Sequence, residues 1–439
     1  MAVIDKIPSP SLDAGAGKRR PFTFTWLVSI ICMGLLVFVL VRMVIQFVTP
    51  PPPSALRFVQ DIPMPSPFPD TNRTAKNPFA PGVAVLFDHF DFQALDPQTH
   101  LLFMAHTGPA PDREAQINHN FNPDKDAATD GNVIVFNVLQ KKIVGLLPIP
   151  QVTGVTVAPD LEKVYVADGN DNIVYVIDEQ TLKFQSIELA QNDSPDGMEY
   201  DQIDHLVFVA VPGAPANPDQ SNVVDKKNQN VNVIDALTDK VIARVPLGID
   251  GKWGDDVGHV RFDPVLHRVF VAVQQLPDPD SINPNILPPP DTARLVEIDP
   301  VTKKVITRIK LSYDCFVPHG LAIDTEQHIA YVACVDSDPP RIERVDLRIS
   351  KLIAEDPYPV SVKPDIVAID YGLHLLYMAC GAGVAIFKID GRNFTWLTTY
   401  NPGINTHTIA VNQETHELYL PLARIGGRAV LRIMQYKTS

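Results

Sequence analysis

The chain carries no Gly-x-Ser-x-Gly nucleophile elbow, no phosphate-cradling glycine loop, no Cys-x-x-Cys-His haem-attachment site and no Rossmann glycine fingerprint. The local signatures of the common hydrolases, nucleotide enzymes and cytochromes are therefore missing. Basic residues are also in deficit: 37 Lys+Arg stand against 51 Asp+Glu, a formal charge of −14, and no basic stripe offsets it. Such a field repels a phosphate backbone, which excludes nucleic acid as a partner. Cysteine is scarce, with four in 439 residues. What the chain has is enough apolar material to bury a core, 45% against 20% charged, and 41 prolines that gather between apolar runs, where they mark loops and linkers.

Residues 22–41 contain no charge and are long enough, as a helix, to cross about 30 Å of hydrocarbon. Arg42 can snorkel to the interface while Met43–Val48 extend the run. Lys18, Arg19 and Arg20 precede it, so the positive-inside rule leaves residues 1–21 in the cytoplasm, makes 22–48 a single-pass anchor and exports the rest. The run is too long for a cleaved signal peptide, and no small-x-small site follows it cleanly. From Thr49-Pro50-Pro51-Pro52-Pro53 to residue 82 there is no apolar periodicity, and the segment reads as a stiff proline-rich linker. Cys32 lies in the anchor, leaving Cys315, Cys334 and Cys380 outside; one disulfide suits an oxidising compartment, but sequence does not choose the pair.

Beyond residue 88 one pattern recurs: a short strand, an Asp-containing turn, and a second strand reading aromatic-apolar-Ala. The copies are Phe92–Asp96 with Leu102–Ala105, Val155–Ala158 with Val164–Ala167, Met198–Asp201 with Val207–Ala210, and Val260–Asp263 with Val269–Ala272. Three more follow: Leu321–Asp324 with Ala330–Ala333, Val367–Asp370 with Leu376–Ala379, and Ile409–Asn412 with Leu418–Pro421. Two further strands complete most units, as in Ile173–Asp178 and Phe184–Leu189. A lone four-stranded sheet cannot bury both faces, whereas a ring of them can, so the pattern predicts an all-β, seven-bladed β-propeller over residues 83–439. The seventh copy runs out of chain after Ala429–Met434, and Val83–Phe87 is the unassigned strand-like run expected to complete it.

The stretch Val164-Tyr-Val-Ala-Asp-Gly-Asn-Asp-Asn-Ile-Val-Tyr-Val-Ile-Asp178 resembles the defining element of YVTN-repeat propellers, and Pro318-His-Gly-Leu-Ala-Ile-Asp324 resembles the related NHL-type strand. The resemblance covers roughly residues 83–439 and implies the fold. Such propellers include binding proteins, surface proteins, lactonases, lyases and dehydrogenase subunits, so it does not choose an activity. It further implies that the first strands line a central channel and that ligands bind where those strands begin.

Six histidines, His100, His205, His267, His328, His374 and His416, follow the repeat Asp or Asn by four residues and belong to the turn. His319 and His407 instead stand just before the first strands of their blades, where Asp91, Thr153, Asp196, Gly258 and Asp365 stand in the others, and His259 is displaced by one. Asp91, Asp196, His259, His319, Asp365 and His407 are thus the expected ligand-binding residues at the channel mouth. Long segments from His106 to Asp130, Pro212 to Asn230 and Gln274 to Asp291 are placed to cap it, with His106 and His119 on the first. The expected role is binding or scaffolding, with a small molecule or a protein as partner. One alternative is a lactonase-like hydrolase or lyase using a divalent metal held by His319 and His407. The other is an accessory subunit of a quinone- or copper-linked oxidoreductase. Asp168–Asn172 superficially matches a calcium loop with Glu179 at its twelfth position, but Ile173 replaces the required glycine, and a hairpin turn explains it better.

Overall fold

The computed structural model describes residues 55–65, 87 and, from 89 to 437, all but 109–130, 213–228, 249–255, 275–292, 354–357, 403–405 and the single positions 170, 192, 313, 362 and 427. The expected cytoplasmic tail and anchor, 1–48, lie outside the described residues. The chain enters the fold on β1 (Leu56–Pro63) and then lays down blades in order. Blade 1 is β2 (Phe90–Asp96), β3 (Leu101–His106), β4 (Asn132–Asn137) and β5 (Lys142–Leu147). Blade 2 is β6 (Val152–Ala158), β7 (Lys163–Asp168), β8 (Ile173–Asp178) and β9 (Phe184–Glu188). Blade 3 is β10 (Met198–Asp201), β11 (Leu206–Val211), β12 (Asn230–Asp235) and β13 (Lys240–Pro246). Blade 4 is β14 (Asp256–Asp263), β15 (Arg268–Gln274), β16 (Arg294–Asp299) and β17 (Lys304–Lys310). Blade 5 is β18 (Pro318–Asp324), β19 (Ile329–Cys334) and β20 (Arg341–Asp346), edged by the short β21 (Lys351–Leu352) and β22 (Tyr358–Pro359). Blade 6 is β23 (Pro364–Asp370), β24 (Leu375–Cys380), β25 (Gly383–Asp390) and β26 (Asn393–Tyr400).

The seventh blade holds β27 (Ala410–Val411), β28 (Glu417–Ile425) and β29 (Arg428–Tyr436), and its outer strand is β1. This corrects the expected closure. The residues that finish the last blade are Leu56–Pro63, from within the segment read as a linker, and not Val83–Phe87. The pairing is antiparallel from Leu56↔Tyr436 to Pro63↔Val430, and Arg432 grips Asp61 with two nitrogens at 2.8 Å each. Residues 83–86 lie outside the described residues; Phe87 is buried against Phe90 and His106.

The repeat works because each second strand contributes one aromatic ring to the space between blades. Phe103, Tyr165, Phe208, Phe270, Tyr331, Tyr377 and Tyr419 are all fully buried. Each such ring removes on the order of 150–250 Å² from water, which a sheet standing alone could not do. The apolar clusters accordingly bridge neighbours, as where Tyr165 and Val176 of blade 2 meet Met198 and Val207 of blade 3.

The turn after the first strand is equally regular in six blades; in blade 2 the strand ends at Ala158 and a 3-10 turn, Pro159–Leu161, takes its place. The strand-end Asp or Asn turns Oδ1 onto the backbone N–H groups that follow, as Asp201 does for Ile203 and Asp204 at 2.8 and 3.1 Å. The residue four positions on must then adopt a left-handed conformation, and the six turn histidines do so with φ between 51° and 57°. Four of them reach an acidic side chain in the preceding blade: His205 to Asp160 at 3.1 Å, His267 to Asp204 at 3.0 Å, His328 to Asp263 at 3.1 Å and His416 to Asp370 at 3.0 Å. They fasten blade to blade. Asp168 and Ile173 are directly paired across the β7–β8 hairpin, and Glu179 turns instead to Thr99 of blade 1. Cys315 and Cys334 form a disulfide, and Cys380 is a buried free thiol whose pKa burial pushes up to about 12.

Candidate functional site: the bulged mouth of the central channel

The first strands ring the channel, and five of them break register at the same place. The interruptions fall between Phe90 and Gln93, Val152 and Val155, Val257 and Val260, Pro318 and Leu321, and Pro364 and Val367. A bulge puts two residues opposite one and re-aims a side chain, so Asp91, Thr153, His259, His319 and Asp365 each stand on a local irregularity instead of alternating in and out of the sheet. Glycines let the strands crowd there. A Cβ on Gly154 would sit 2.0 Å from the Asp196 carbonyl oxygen, and one on Gly320 would sit 1.9 Å from that of Asp365. Only a residue without a Cβ permits that approach.

The crowding gathers charge from several blades. His407 Nδ1 lies 3.2 Å from Asp365 Oδ2, and its Nε2 lies 3.8 Å from Asp91 Oδ1. His259 and His319 each direct Nε2 toward Asp365 Oδ1, at 3.7 Å in both cases. His259 is fully buried, its ring 4.4 Å from that of Phe92 and 4.9 Å from that of His319. Burial, and after it the electrostatic influence of His319, Arg261 and His407, holds its pKa well below the ordinary imidazole value and so disfavours the charged ring. Asp91 moves the opposite way: burial first, then the carboxylates of Asp196 and Asp365, hold its pKa well above the usual range. Three carboxylates and three imidazoles from six blades therefore face one another, and the like charges favour a shared proton or a bound cation.

Neither a protein-family model nor a curated protein matches the chain. Among solved structures it is similar to Kuenenia stuttgartiensis hydrazine synthase, with a TM-score of 0.55 at 13% identity over 75% of this chain and 91% of that one. The fold is a seven-bladed propeller. At that identity the likeness carries the architecture and nothing of the chemistry.

First-strand side chains beyond the mouth residues line a cavity of about 400 Å³. Phe92 lines this cavity and also packs on His259, with the Arg261 guanidinium 5.9 Å from its ring centroid. Glu199 and Arg261 line the same cavity and pair at 3.3 Å; burial pushes the Glu199 carboxyl up to about 7 against the pull of Arg261.

All six sequence-derived mouth residues lie within three positions of where a first strand begins, and Asp196 acts there on Asp91 through its charge. Three neighbours were not anticipated. His89 stacks on His407 at 4.7 Å, Gln274 bonds the His319 Nδ1, and Phe92 floors the site. His89 precedes the repeated position by two residues, so comparing repeat with repeat passes over it. His106, expected on a cap, is instead a fully buried core residue against Phe87 and Phe90 that bonds Asn132 at 3.0 Å. His119 and most of the three long segments lie outside the described residues.

Proposed function

We propose that this propeller is a ligand-binding module whose site is the bulged channel mouth, carried outside the cytoplasm on the apolar segment 22–48. One observation supports this above the rest: Asp91, Asp196, His259, His319, Asp365 and His407 come from six different blades, yet interact at one end of the channel. Blade-to-blade cohesion does not require polar groups there, since the aromatic core supplies it. The charge arrow of Lys18, Arg19 and Arg20 supports export, and the Val164–Asp178 element supports kinship with YVTN-repeat propellers.

The test is a small-molecule and peptide screen on the full-length chain in detergent, read as a thermal shift. His407→Ala and His319→Ala are each expected to weaken any captured ligand by roughly tenfold or more, while the ligand-free melting temperature changes little. Binding unaffected by both changes would place the ligand elsewhere and end the reading.

A metal-dependent hydrolase or lyase is the second reading. His89, Asp91 and His407 favour it, because their ligand atoms all lie within 4.8 Å of one another at the rim. Stoichiometric metal in the purified chain, lost on His407→Ala, would move this reading ahead.

A further inference from the structure

We infer that the propeller face opposite the channel mouth is a membrane-docking surface, which lies on the lipid so that the mouth opens away from the bilayer. The inference rests on the reading of segment 22–48 as a membrane anchor and specifies which surface of the propeller meets the lipid.

First strands begin at the mouth, so the turns joining first to second strands and third to fourth strands all fall on the opposite face. The outer, third-to-fourth turns repeat one motif. Their closing pairs are Asn137↔Lys142, Asp235↔Lys240, Asp299↔Lys304 and Asp346↔Lys351, in blades 1, 3, 4 and 5. At the tips of these turns Leu139, Leu237, Val301 and Ile349 are 58–65% exposed, and Ile203 and Val265 add two exposed apolar side chains from the inner turns of blades 3 and 4. Exposed apolar residues scattered singly are ordinary, but one repeat position left apolar in four blades of one face is not scatter. The four closing lysines are exposed as well. Apolar tips beside ammonium groups suit an interface, where the tips enter the headgroup region and the cations meet lipid phosphate. Asp160, Glu162, Glu326 and Glu414 are exposed on the same face, but they stand on the inner turns, beside the channel.

The occupant follows from where the chain enters. In blade 7 the third-to-fourth turn is replaced by the start of the fold: Leu56 stands opposite Tyr436 as Lys142 stands opposite Asn137. Ala55 is therefore on the face that carries the apolar tips. From Val48, where the anchor reading ends, seven steps of chain to Ala55 reach at most about 25 Å. Crossing the headgroup layer takes about 5 Å of that. From Ala55 the strand β1 runs toward the mouth, and its eight residues alone span about 26 Å. With the mouth against the lipid, Ala55 would stand out of reach; with the turn face against the lipid, it is within reach. An edge-on pose is also within reach, with Trp396 and Phe58 on the outer strands of blades 6 and 7 exposed there. That edge is less suited, because the Arg432 guanidinium already covers the Phe58 ring and β26 carries no cation beside Trp396.

The experiment uses the full-length chain in vesicles of phosphatidylcholine with about one-quarter phosphatidylglycerol. Cys32→Ser leaves Cys380, which is buried, as the one thiol outside the disulfide. A nitroxide is attached in turn at Leu237→Cys, Val301→Cys, Trp396→Cys and, as a reference on the mouth side, Gln191→Cys. Its collisions with oxygen, which concentrates in lipid, and with a water-soluble nickel chelate are read by electron paramagnetic resonance. At Leu237→Cys and Val301→Cys the nickel rate should fall roughly fivefold below that at Gln191→Cys while the oxygen rate exceeds it, and Trp396→Cys should match the reference. Nickel rates at the two turn sites equal to the reference would overturn the docking and leave the anchor standing. A lipid signature at Trp396→Cys alone would mean an edge-on pose and overturn it too. Spin–spin broadening at the turn sites that persists when the protein is diluted into more lipid would mean that a second copy covers the face, which also overturns it. A chain that fails to float with the vesicles would remove the anchor, and the docking with it.

Discussion

Glu179 shows how a residue can be misread by motif and understood by its surroundings. It is buried between blades 1 and 2, takes a 2.7 Å hydrogen bond from Thr99 Oγ1, and faces Asp96, whose Oδ2 is itself buried and unpartnered. Burial first, then Asp96 and Glu162, push its pKa up to about 8, against the opposing pull of Thr99. A carboxyl whose pKa is higher folded than unfolded contributes stability in full below its ordinary value of 4.5, and that contribution is lost as pH rises through about 8. Glu179→Gln keeps the shape and an amide donor for Asp96 but cannot ionise. Its unfolding free energy should match the parent closely at pH 5 and exceed it by roughly 1–3 kcal/mol at pH 9, as urea titration at the two pH values will show. The mouth residues were legible in the sequence because one position could be compared across seven copies. Their bulges, their crowding and the Leu321 N–H that donates to His259 were not, since a register shift and a backbone donor 62 residues away leave no mark on a strand pattern.

Among the elements, β1 was the one hidden from sequence. Its eight residues sit between proline clusters, alternate poorly, and pair with a strand at the far end of the chain. What fixes it is chemical: Asp61 meets Arg432 in a two-pronged ion pair, and the same guanidinium covers the Phe58 ring at 5.6 Å. Two charge-assisted bonds in a half-buried setting make Asp61→Ala cost about 2 kcal/mol by chemical denaturation. Arg57→Ala, one strand position from the start and bonded only to exposed Gln435, should change stability by less than about 0.5 kcal/mol. Equal effects from the two would mean that β1 is not held by its ion pair. The other outer strands were easier to anticipate, because each follows its neighbour through a turn marked by Asp or Asn, as at Asp178, Asp235 and Asp299.

At the scale of the ring, the last blade is set apart by how its outer strand is connected. Ala55 and Lys437 are adjacent: the Lys437 N–H donates to the Ala55 carbonyl at 2.9 Å, and Leu56 stands opposite Tyr436. Joining Lys437 to Ala55 through Asn-Gly would turn β29 and β1 into an ordinary hairpin, since that dipeptide favours the turn that matches strand twist. With new ends cut between β11 and β12 and residues 1–54 removed, the blade would become a continuous β27-β28-β29-β1 meander like its neighbours. The permuted chain should fold to the same all-β spectrum and melt cooperatively within a few degrees of the parent, because no interblade contact is altered and the clasp becomes local. A chain that instead begins at residue 66 retains every repeat recognised in the sequence but leaves the backbone groups of β29 unpaired along one edge. That edge is a template for association, and the truncated chain should aggregate or lose several kcal/mol of stability. If it behaved like the parent, β1 would be dispensable and the circle would be closed by something other than the strand that now completes it.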